Sequence, residues 1–426
     1  MRKSLLEGRT NAWALSTRMA FVFTLLLVFG VILPARGQTF NVLYSFTNGA
    51  DGGGPNGSLV QDQAGNLYGT TNQGGDQTCS GNPGCGTVFK LDKNGTLTTL
   101  YSFTGGSDGG VPYWGLTLSG TTLYGTTLFG GDTKACPQGC GVVFKVDANS
   151  GAETVLYAFT GGSDGWEPAA GVVEDRTGNL YGSTVNGGSS ACDGYGCGVL
   201  FKLGAGTGEE TVLHRFNNSD GANPLAILTL DPTGSVLYGT TPYGGSSGTG
   251  CGGYGCGVVF SLTHETGKYA VLHNFSGGSD GGDPWWSGLL LLGKGDILYG
   301  TTERGGNSGC GLIGSCGLVF KLVPNTRKGT VLYSFTGGAD GGNPEGGVLL
   351  NKGGTLIGTS CFGGTNNVGT IFKLDPANGE TVLHAFDTTD GSAPFGDLFE
   401  DAEGNFYGTT LYGGSDDYGV VFKITP

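Results

Sequence analysis

The sequence predicts an all-β fold, a seven-bladed β-propeller with four-stranded blades, and three observations lead to this prediction. The chain of 426 residues contains 89 glycines, yet 37% of its residues are hydrophobic and only 13% are charged. This composition is typical of an ordered, turn-rich chain and not of a disordered one. A unit of about 56 residues recurs seven times between residues 39 and 424. Each unit contains four short stretches rich in Val, Leu, Phe, Tyr and Thr, and four strands at this period match a propeller blade.

Residues 1–37 precede the repeats and are predicted to be a secretory signal peptide. Four basic residues lie before the apolar run Ala20–Leu33, and small residues at Ala35 and Gly37 precede a cleavage site. The run is shorter than the roughly 20 apolar residues of a membrane-spanning helix, although an uncleaved anchor is the alternative. Translation can start at either methionine, Met1 or Met19.

The remaining chain, residues 38–426, is strongly acidic. It keeps 16 Lys and Arg against 34 Asp and Glu, so its net charge is −18. Such a surface repels nucleic-acid phosphates and anionic lipids. We therefore expect no binding to nucleic acid or, after cleavage of the leader, to a membrane. With the predicted signal peptide, we expect a protein that is secreted, extracellular or at the cell surface, and we also expect a monomer.

Each unit has the same order of predicted strands. An inner stretch such as Gly115–Leu118 comes first, and a Leu-Tyr-Gly-Thr-Thr block such as Leu123–Thr127 follows it. A Val-Phe-Lys stretch, as within Cys140–Val146, and an outer Leu-Tyr-Ser-Phe stretch, as in Leu100–Phe103, complete the unit. All four stretches are four to six residues long and are bounded by turn residues, which is typical of strands.

The two ends of the repeat array predict how the ring closes. The chain begins with an outer strand, Thr39–Phe46, and finishes with Gly419–Ile424, which corresponds to the third strand of the other units. The last blade therefore lacks its own outer strand. We expect Thr39–Phe46 to pair beside Gly419–Ile424, which would remove the exposed sheet edges of an open array. Residues 38–426 then form a single propeller domain.

The repeat also resembles a known family. The segment Leu100-Tyr-Ser-Phe-Thr-Gly-Gly-Ser-Asp-Gly-Gly110, with the Leu-Tyr-Gly-Thr-Thr and Val-Phe-Lys blocks, is similar to the GloVer (Gloeo-Verruco) tandem repeat of secreted bacterial proteins. The resemblance covers all seven units and implies an extracellular or cell-surface location. In that family a sorting or anchoring segment often follows the repeats, whereas this chain stops at Pro426, so we expect a released protein. The resemblance implies no activity and no catalytic residue.

Ten of the eleven cysteines occur as pairs, each within one loop between the second and third strands. The predicted disulfides are Cys79–Cys85, Cys136–Cys140, Cys192–Cys197, Cys251–Cys256 and Cys310–Cys316. Secretion permits disulfides, and pairing within a loop is the simplest arrangement. Zinc binding is the alternative, but the spacings vary and no histidine accompanies the pairs. The eleventh cysteine, Cys361, is predicted to be a buried free thiol.

An aspartate precedes glycine in the turn after every outer strand. These residues are Asp51, Asp108, Asp164, Asp220, Asp280, Asp340 and Asp390. A catalytic residue is needed once, so sevenfold repetition predicts a structural role in which Asp caps the turn and Gly adopts positive φ. A calcium site formed by these carboxylates and loop carbonyls is the alternative, and no other metal or cofactor is expected.

The aromatic residues around the turn proline are the candidates for ligand binding. They are Tyr113, Trp114, Trp166, Trp285 and Trp286. Strand order places their loop on the same face as the cysteine loops, where flat rings suit stacking on sugars or anchoring a peptide. The alternative is that the rings only fill gaps between blades near the axis.

The sequence therefore predicts a protein that binds an extracellular glycan or protein on its disulfide-rich face. No Gly-x-Ser-x-Gly, His-Glu-x-x-His or nucleotide-binding motif appears in a fitting context, and catalytic residues are not assigned. A polysaccharide lyase or glycoside hydrolase that uses acidic residues at the central channel is the alternative function. A single residue that breaks the sevenfold pattern in the channel would favour the enzyme, whereas a repeated aromatic rim would favour binding.

Overall fold

All regular structure in the described part of the chain is β-strand. The structure is a computed structural model that describes residues 38–79, 83–245, 251, 253–293, 297–308, 310 and 314–426. The predicted signal peptide, residues 1–37, lies outside these residues. Gln38–Pro426 forms one compact unit. Among the described residues, no helix has the length and apolar character that spanning a membrane requires.

The strands form seven four-stranded antiparallel sheets, and the strands of each blade follow one another from the innermost to the outermost. Blade 1 contains β2 (Val60–Gln61), β3 (Leu67–Thr71), β4 (Thr87–Leu91) and β5 (Leu97–Ser102). Blade 2 contains β6 (Thr117–Ser119), β7 (Thr122–Thr127), β8 (Val142–Asp147) and β9 (Glu153–Ala158). Blade 3 contains β10 (Val173–Glu174), β11 (Leu180–Thr184), β12 (Val199–Leu203) and β13 (Glu210–Arg215). Blade 4 contains β14 (Thr229–Leu230), β15 (Val236–Thr241), β16 (Val258–Thr263) and β17 (Lys268–Asn274). Blade 5 contains β18 (Leu290–Leu292), β19 (Ile297–Thr302), β20 (Leu318–Val323) and β21 (Lys328–Ser334). Blade 6 contains β22 (Leu349–Leu350), β23 (Leu356–Ser360), β24 (Thr370–Asp375) and β25 (Gly379–Ala385). Blade 7 contains β26 (Phe399–Glu400), β27 (Phe406–Thr410), β28 (Val420–Thr425) and β1 (Thr39–Ser45).

The predicted ring closure is confirmed. Strand β1 pairs antiparallel with β28, so that Thr39 lies opposite Thr425 and Ser45 lies opposite Val420. The Phe46 N–H also donates to the carbonyl of Gly419 over 3.0 Å. The seventh blade is therefore completed by the first strand of the chain, and the fold is the predicted seven-bladed propeller.

The inner strands are shorter than the four to six residues that the sequence predicts. They have two or three residues, and the backbone just before them accepts hydrogen bonds from side chains of the preceding blade. The Thr70 hydroxyl, for example, donates to the carbonyl of Trp114 over 2.7 Å. A Cβ atom on Gly57 would lie 2.2 Å from the nitrogen of Gly115, so only glycine allows these segments to approach each other.

The core lies between the blades. The outer-strand phenylalanine of one blade packs edge-to-face on the third-strand phenylalanine of the next, as Phe103 does on Phe144 with ring centroids 5.0 Å apart. Both side chains are fully buried. The Phe144 ring occupies the space where a Cβ on Gly125 would stand, 2.5 Å from its Cζ atom. The recurring spacing of Phe and Gly in the repeat therefore forms the same interface around the ring.

Candidate functional site

The repeated aspartates are fully engaged by the turns in which they lie. The Asp108 carboxylate accepts hydrogen bonds from the Tyr101 hydroxyl (3.0 Å) and the Thr104 N–H (2.8 Å). At the corresponding turn of another unit, the His384 Nε2 atom lies 2.8 Å from Asp390. Histidine thus replaces tyrosine as the outer-strand partner of the aspartate. In the part of the chain that the structure describes, no group of three or more His, Cys, Asp or Glu side chains is arranged to hold a metal ion.

Five disulfides close the loops between the second and third strands of blades 1 to 5, and each joins the two cysteines of one loop. The second cysteine of each pair also supports the following unit, since its carbonyl accepts a backbone hydrogen bond from the residue before the turn proline. Cys140 accepts this bond from Glu167 (3.0 Å) and Cys256 from Asp283 (2.9 Å). The disulfides indicate an oxidising compartment, extracellular or periplasmic. Cys361 is free and 2% exposed.

The proline loops and the disulfide loops meet on one face of the ring, where they line a cleft of about 930 Å³. Trp166 and Trp285 are half-buried and line this cleft, and so does Tyr113. Trp114 and Trp286 are largely buried and stack on each other, with centroids 5.3 Å apart, although they belong to blades 2 and 5. Trp114 therefore fills space between the blades, whereas Trp286 packs on it and also lines the cleft together with the more exposed Trp166 and Trp285.

The walls of the cleft carry further aromatic rings that the sequence analysis did not select. Tyr195 and Tyr254 lie on disulfide loops and are 64% and 62% exposed. The Trp166 Nε1 atom donates to the Tyr195 carbonyl over 3.3 Å, which ties one wall together. On the other side, the Tyr243 ring lies 6.0 Å from Tyr254 and 5.8 Å from Trp285. Aromatic rings therefore stand on both sides of the cleft.

Polar groups between the walls are held in fixed orientations. The Asn186 amide donates to the Glu167 carboxylate over 2.7 Å, and the Asn223 amide donates to the Val185 carbonyl over 2.9 Å. The only charged residues among the described ones that line the cleft are Glu167 and Asp193, and this lining contains no Lys, Arg or His. The cleft therefore offers amides and carboxylates but no cation.

A group of carboxyl side chains lies beside the cleft, in blades 5 and 6. Asp283 is 1% exposed and lies 2.9 Å from the Arg304 Nε atom. Burial raises the pKa of Asp283 to about 6 and that of Glu303 to about 7, although Arg304 opposes both shifts. Burial, with the nearby Glu303 charge, raises the pKa of Glu345 well above its usual value. Glu303 and Glu345 therefore hold their protons to a higher pH than exposed carboxylates do.

One aspartate also departs from the repeat just before the innermost strand of blade 7. Asp397 occupies a position that is glycine in four other units, and its carboxylate accepts a hydrogen bond from the Gly347 N–H over 2.5 Å. Burial raises the pKa of Asp397 to about 6. An acidic residue thus departs from the repeat beside an innermost strand. The aromatic rings of the cleft come from some blades only and do not form a rim that repeats around the ring.

The match to a repeat-family model decides which family the chain represents. The model of the Gloeobacter/Verrucomicrobia repeat matches residues 28–193 and 249–426. The chain belongs to this family. A comparison with curated proteins found no significant match.

Solved propellers are similar to this family member in fold. Virginiamycin B lyase from Staphylococcus aureus superposes with a TM-score of 0.56 at 14% identity, over 91% of this chain and 99% of the lyase. An oligogalacturonate lyase from Vibrio parahaemolyticus superposes with a TM-score of 0.51 at 12% identity, over 90% of this chain and 93% of the other. Because the identities are low, these similarities concern the fold alone.

Aligning the seven Gloeobacter/Verrucomicrobia repeats reveals where the carboxyl group could have been found from sequence. The residue after each Thr-Thr block varies between units: Asn72, Leu128, Val185, Pro242, Glu303, Cys361 and Leu411. The residue after each turn proline varies as well: Asn56, Tyr113, Ala169, Leu225, Trp285, Glu345 and Phe395. A search for aromatic rings selects Tyr113 and Trp285 at these positions and misses Glu303 and Glu345. Non-repeating positions in a repeating chain are the signal that would have identified them.

Proposed function

We propose that this chain is a secreted binding protein that holds a neutral glycan on its disulfide-rich face. The observation that carries the proposal is the cleft with aromatic rings on both walls, above all Trp166 and Trp285. Aromatic faces stack on the apolar faces of sugar rings, and fixed amides such as that of Asn223 bind their hydroxyls. The predicted signal peptide and the five disulfides support an extracellular location.

The charge of the cleft supports a neutral ligand over an acidic one. The two charged lining residues, Glu167 and Asp193, are both acidic, and the chain after residue 37 carries a net charge of −18. A uronate carboxylate would therefore enter without a counter-charge, which is unfavourable. Although oligogalacturonate lyases share the fold, galacturonate chains are anionic and do not fit this cleft.

The test measures binding of the secreted chain to neutral and acidic polysaccharides by affinity electrophoresis and calorimetry. We expect binding to at least one neutral polysaccharide, and at least about tenfold weaker binding for Trp166→Ala and for Trp285→Ala, since each removes a stacking surface worth more than about 1.4 kcal/mol. Phe362→Ala is the matched control, because Phe362 is 46% exposed but lies outside the cleft lining.

Two results would contradict the proposal. One is the absence of binding to every polysaccharide, in which case a protein ligand becomes the better candidate. The other is tighter binding of acidic polysaccharides than of neutral ones.

A further inference from the structure

We propose that the cleft prefers a glycan in which one sugar carries a free amino group, and that the ammonium form of this group pairs with the Glu167 carboxylate. This inference rests on the proposed glycan binding, because it concerns one sugar of the same ligand. It goes beyond that proposal by naming a charged group of the ligand and the residue that recognises it.

The backbone around Glu167 holds this residue at the cleft. Trp166 and Asn186 form an antiparallel bridge, in which the Trp166 N–H donates to the Asn186 carbonyl over 3.0 Å and the Asn186 N–H donates back over 3.2 Å. The φ angle of Glu167 is +58°, and the residue before the turn proline has positive φ in all seven units. The fold therefore fixes the backbone here, and only the side chain differs from unit to unit. Trp166, Glu167 and Asn186 all line the cleft.

The Glu167 carboxylate has one oxygen that is held and one that is open. The Asn186 amide donates to Oε2 over 2.7 Å, and its own oxygen accepts from the Asn223 amide over 3.2 Å. In the part of the chain that the structure describes, no group donates a hydrogen bond to Oε1, and this atom is reached by solvent. The carboxylate is therefore fixed in orientation and still has an acceptor for a ligand.

The charge of Glu167 lacks the partner that an acid at the same place has in another unit. There the residue before the turn proline is Asp283, and Arg304 stands at the place of Asn186, 2.9 Å from the Asp283 carboxylate. Both pairs lie at an antiparallel bridge of the same kind. The amide of Asn186 carries no charge, and no Lys, Arg or His among the described residues lines the cleft. A cation on the ligand would therefore take the role that Arg304 has beside Asp283.

An ammonium group suits this place better than a hydroxyl group does. A hydrogen bond between an ammonium group and a carboxylate is about twice as strong as one between neutral groups, and only the ammonium group compensates the charge. Cations are also attracted to the faces of aromatic rings such as those of Trp166 and Tyr195. Asp193, an exposed residue on the same disulfide loop as Tyr195, brings a second carboxylate to the cleft lining. The net charge of −18 favours the approach of a cationic glycan.

The test measures the binding of three β-1,4-linked hexasaccharides to residues 38–426 by calorimetry at about pH 6, where carboxylates are ionised and amines are protonated. The three are built from glucose, N-acetylglucosamine and glucosamine, so they differ only in the hydroxyl, acetamido or ammonium group at C2. We expect the glucosamine hexamer to bind at least about tenfold more tightly than the glucose hexamer, as is usual for a hydrogen bond to a charged group. The N-acetylglucosamine hexamer carries no charge and should lack this advantage.

Two variants test the assignment to Glu167. Glu167→Gln removes the charge and keeps the shape of the side chain, whereas Asn186→Arg supplies the internal cation that Asp283 already has. Either substitution should reduce the preference for the glucosamine hexamer to within about threefold, the remainder being attraction by the whole acidic surface. Asn186→Arg serves if Glu167→Gln does not fold.

The matched control is Asp416→Asn. It changes the net charge by the same amount as Glu167→Gln, but Asp416 is exposed and lies outside the cleft lining, so the preference should stay at about tenfold or more. A loss of the preference in this variant too would overturn the assignment to Glu167, as would a preference that survives both cleft variants.

The remaining results separate this inference from the proposed function. Equal binding of the glucose and glucosamine hexamers overturns the recognition of an amino group and leaves the glycan binding intact. The same holds if a neutral polysaccharide binds and the glucosamine hexamer does not. Absence of binding to every glycan overturns both proposals.

Discussion

The outer ends of the blades differ from their axial ends on the disulfide face in whether the residues repeat from unit to unit. At the outer ends the same residues recur in every unit, and their contacts recur with them: the turn aspartate accepts from the outer strand, as Asp108 does from Tyr101, and Phe103 packs on Phe144. At the axial ends the aligned positions hold a different residue in almost every unit, among them Glu303 and Glu345.

This difference separates the residues that make the ring from those that make a site. A contact that the fold requires is required seven times, so its residues repeat. A ligand is asymmetric and meets several blades at once, so the residues that bind it differ between blades. Substitution of a residue that repeats in every unit is therefore predicted to change stability. Substitution of a residue that differs between units is predicted to change function.

The largest expected effect tests whether the repeated phenylalanines hold neighbouring blades together. Phe103→Ala removes a fully buried ring between two blades, and we expect a loss of about 3–5 kcal/mol in the free energy of unfolding. Urea denaturation of residues 38–426 measures this change. The glycan binding that we propose should persist in the folded protein that remains, since Phe103 lies outside the cleft lining. A loss below about 1 kcal/mol would mean that the repeated phenylalanines do not hold the blades together.

A smaller effect is expected at the repeated turn. Asp108→Ala leaves the Tyr101 hydroxyl and the Thr104 N–H without their acceptor, which should cost about 1–3 kcal/mol of unfolding free energy. Asp416→Ala is the control, because this exposed aspartate bonds to its neighbour Ser415, and we expect a change within about 0.5 kcal/mol. If calcium held the turn, a chelator would destabilise the wild-type chain by as much as Asp108→Ala does.

The repeated structure of the blades could be predicted almost completely from sequence, whereas the arrangement of residues at the axial ends could not. The strand order, the closure by Thr39–Phe46 and the common face of proline and disulfide loops all follow from counting strands in one unit. The predicted length of the inner strands was wrong, because crowding at the axis acts between blades. The stacking of Trp114 on Trp286 and the grouping of Glu303 with Glu345 depend on how separate units meet, which a pattern within one unit does not contain.

The buried Glu345 carboxyl predicts that the free energy of unfolding depends on pH, with an effect of intermediate size. Because the pKa of Glu345 is raised on folding, the folded chain keeps a proton that the unfolded chain loses above about pH 4.5. Stability should therefore fall as the pH rises from about 5 towards 7.5, by about 1.4 kcal/mol for each unit of pKa shift. The titratable groups near the Glu345 carboxyl are Glu303, Cys361 and Tyr113, and their charges can change the pH at which Glu345 ionises.

Glu345→Gln provides the measurement, since the amide cannot ionise. Urea denaturation at about pH 5 and about pH 7.5 should show a smaller loss of stability for the variant than for the wild-type chain. Glu403→Gln is the control, because Glu403 is exposed and lies outside this group. It should leave the change in stability between the two pH values as it is in the wild-type chain. Parallel curves for all three proteins would mean that Glu345 is ionised in the folded state.

The smallest effect is expected at a non-repeating phenylalanine, which can be compared with the repeated phenylalanine of the largest effect. Phe362→Ala removes a ring that follows Cys361 and is 46% exposed, so little buried area is lost. We expect a change within about 0.5 kcal/mol in urea denaturation, against several kcal/mol for Phe103→Ala. The two substitutions delete identical side chains, and only their place in the ring differs. A loss above about 1.5 kcal/mol at Phe362 would show that a non-repeating position supports the fold as well.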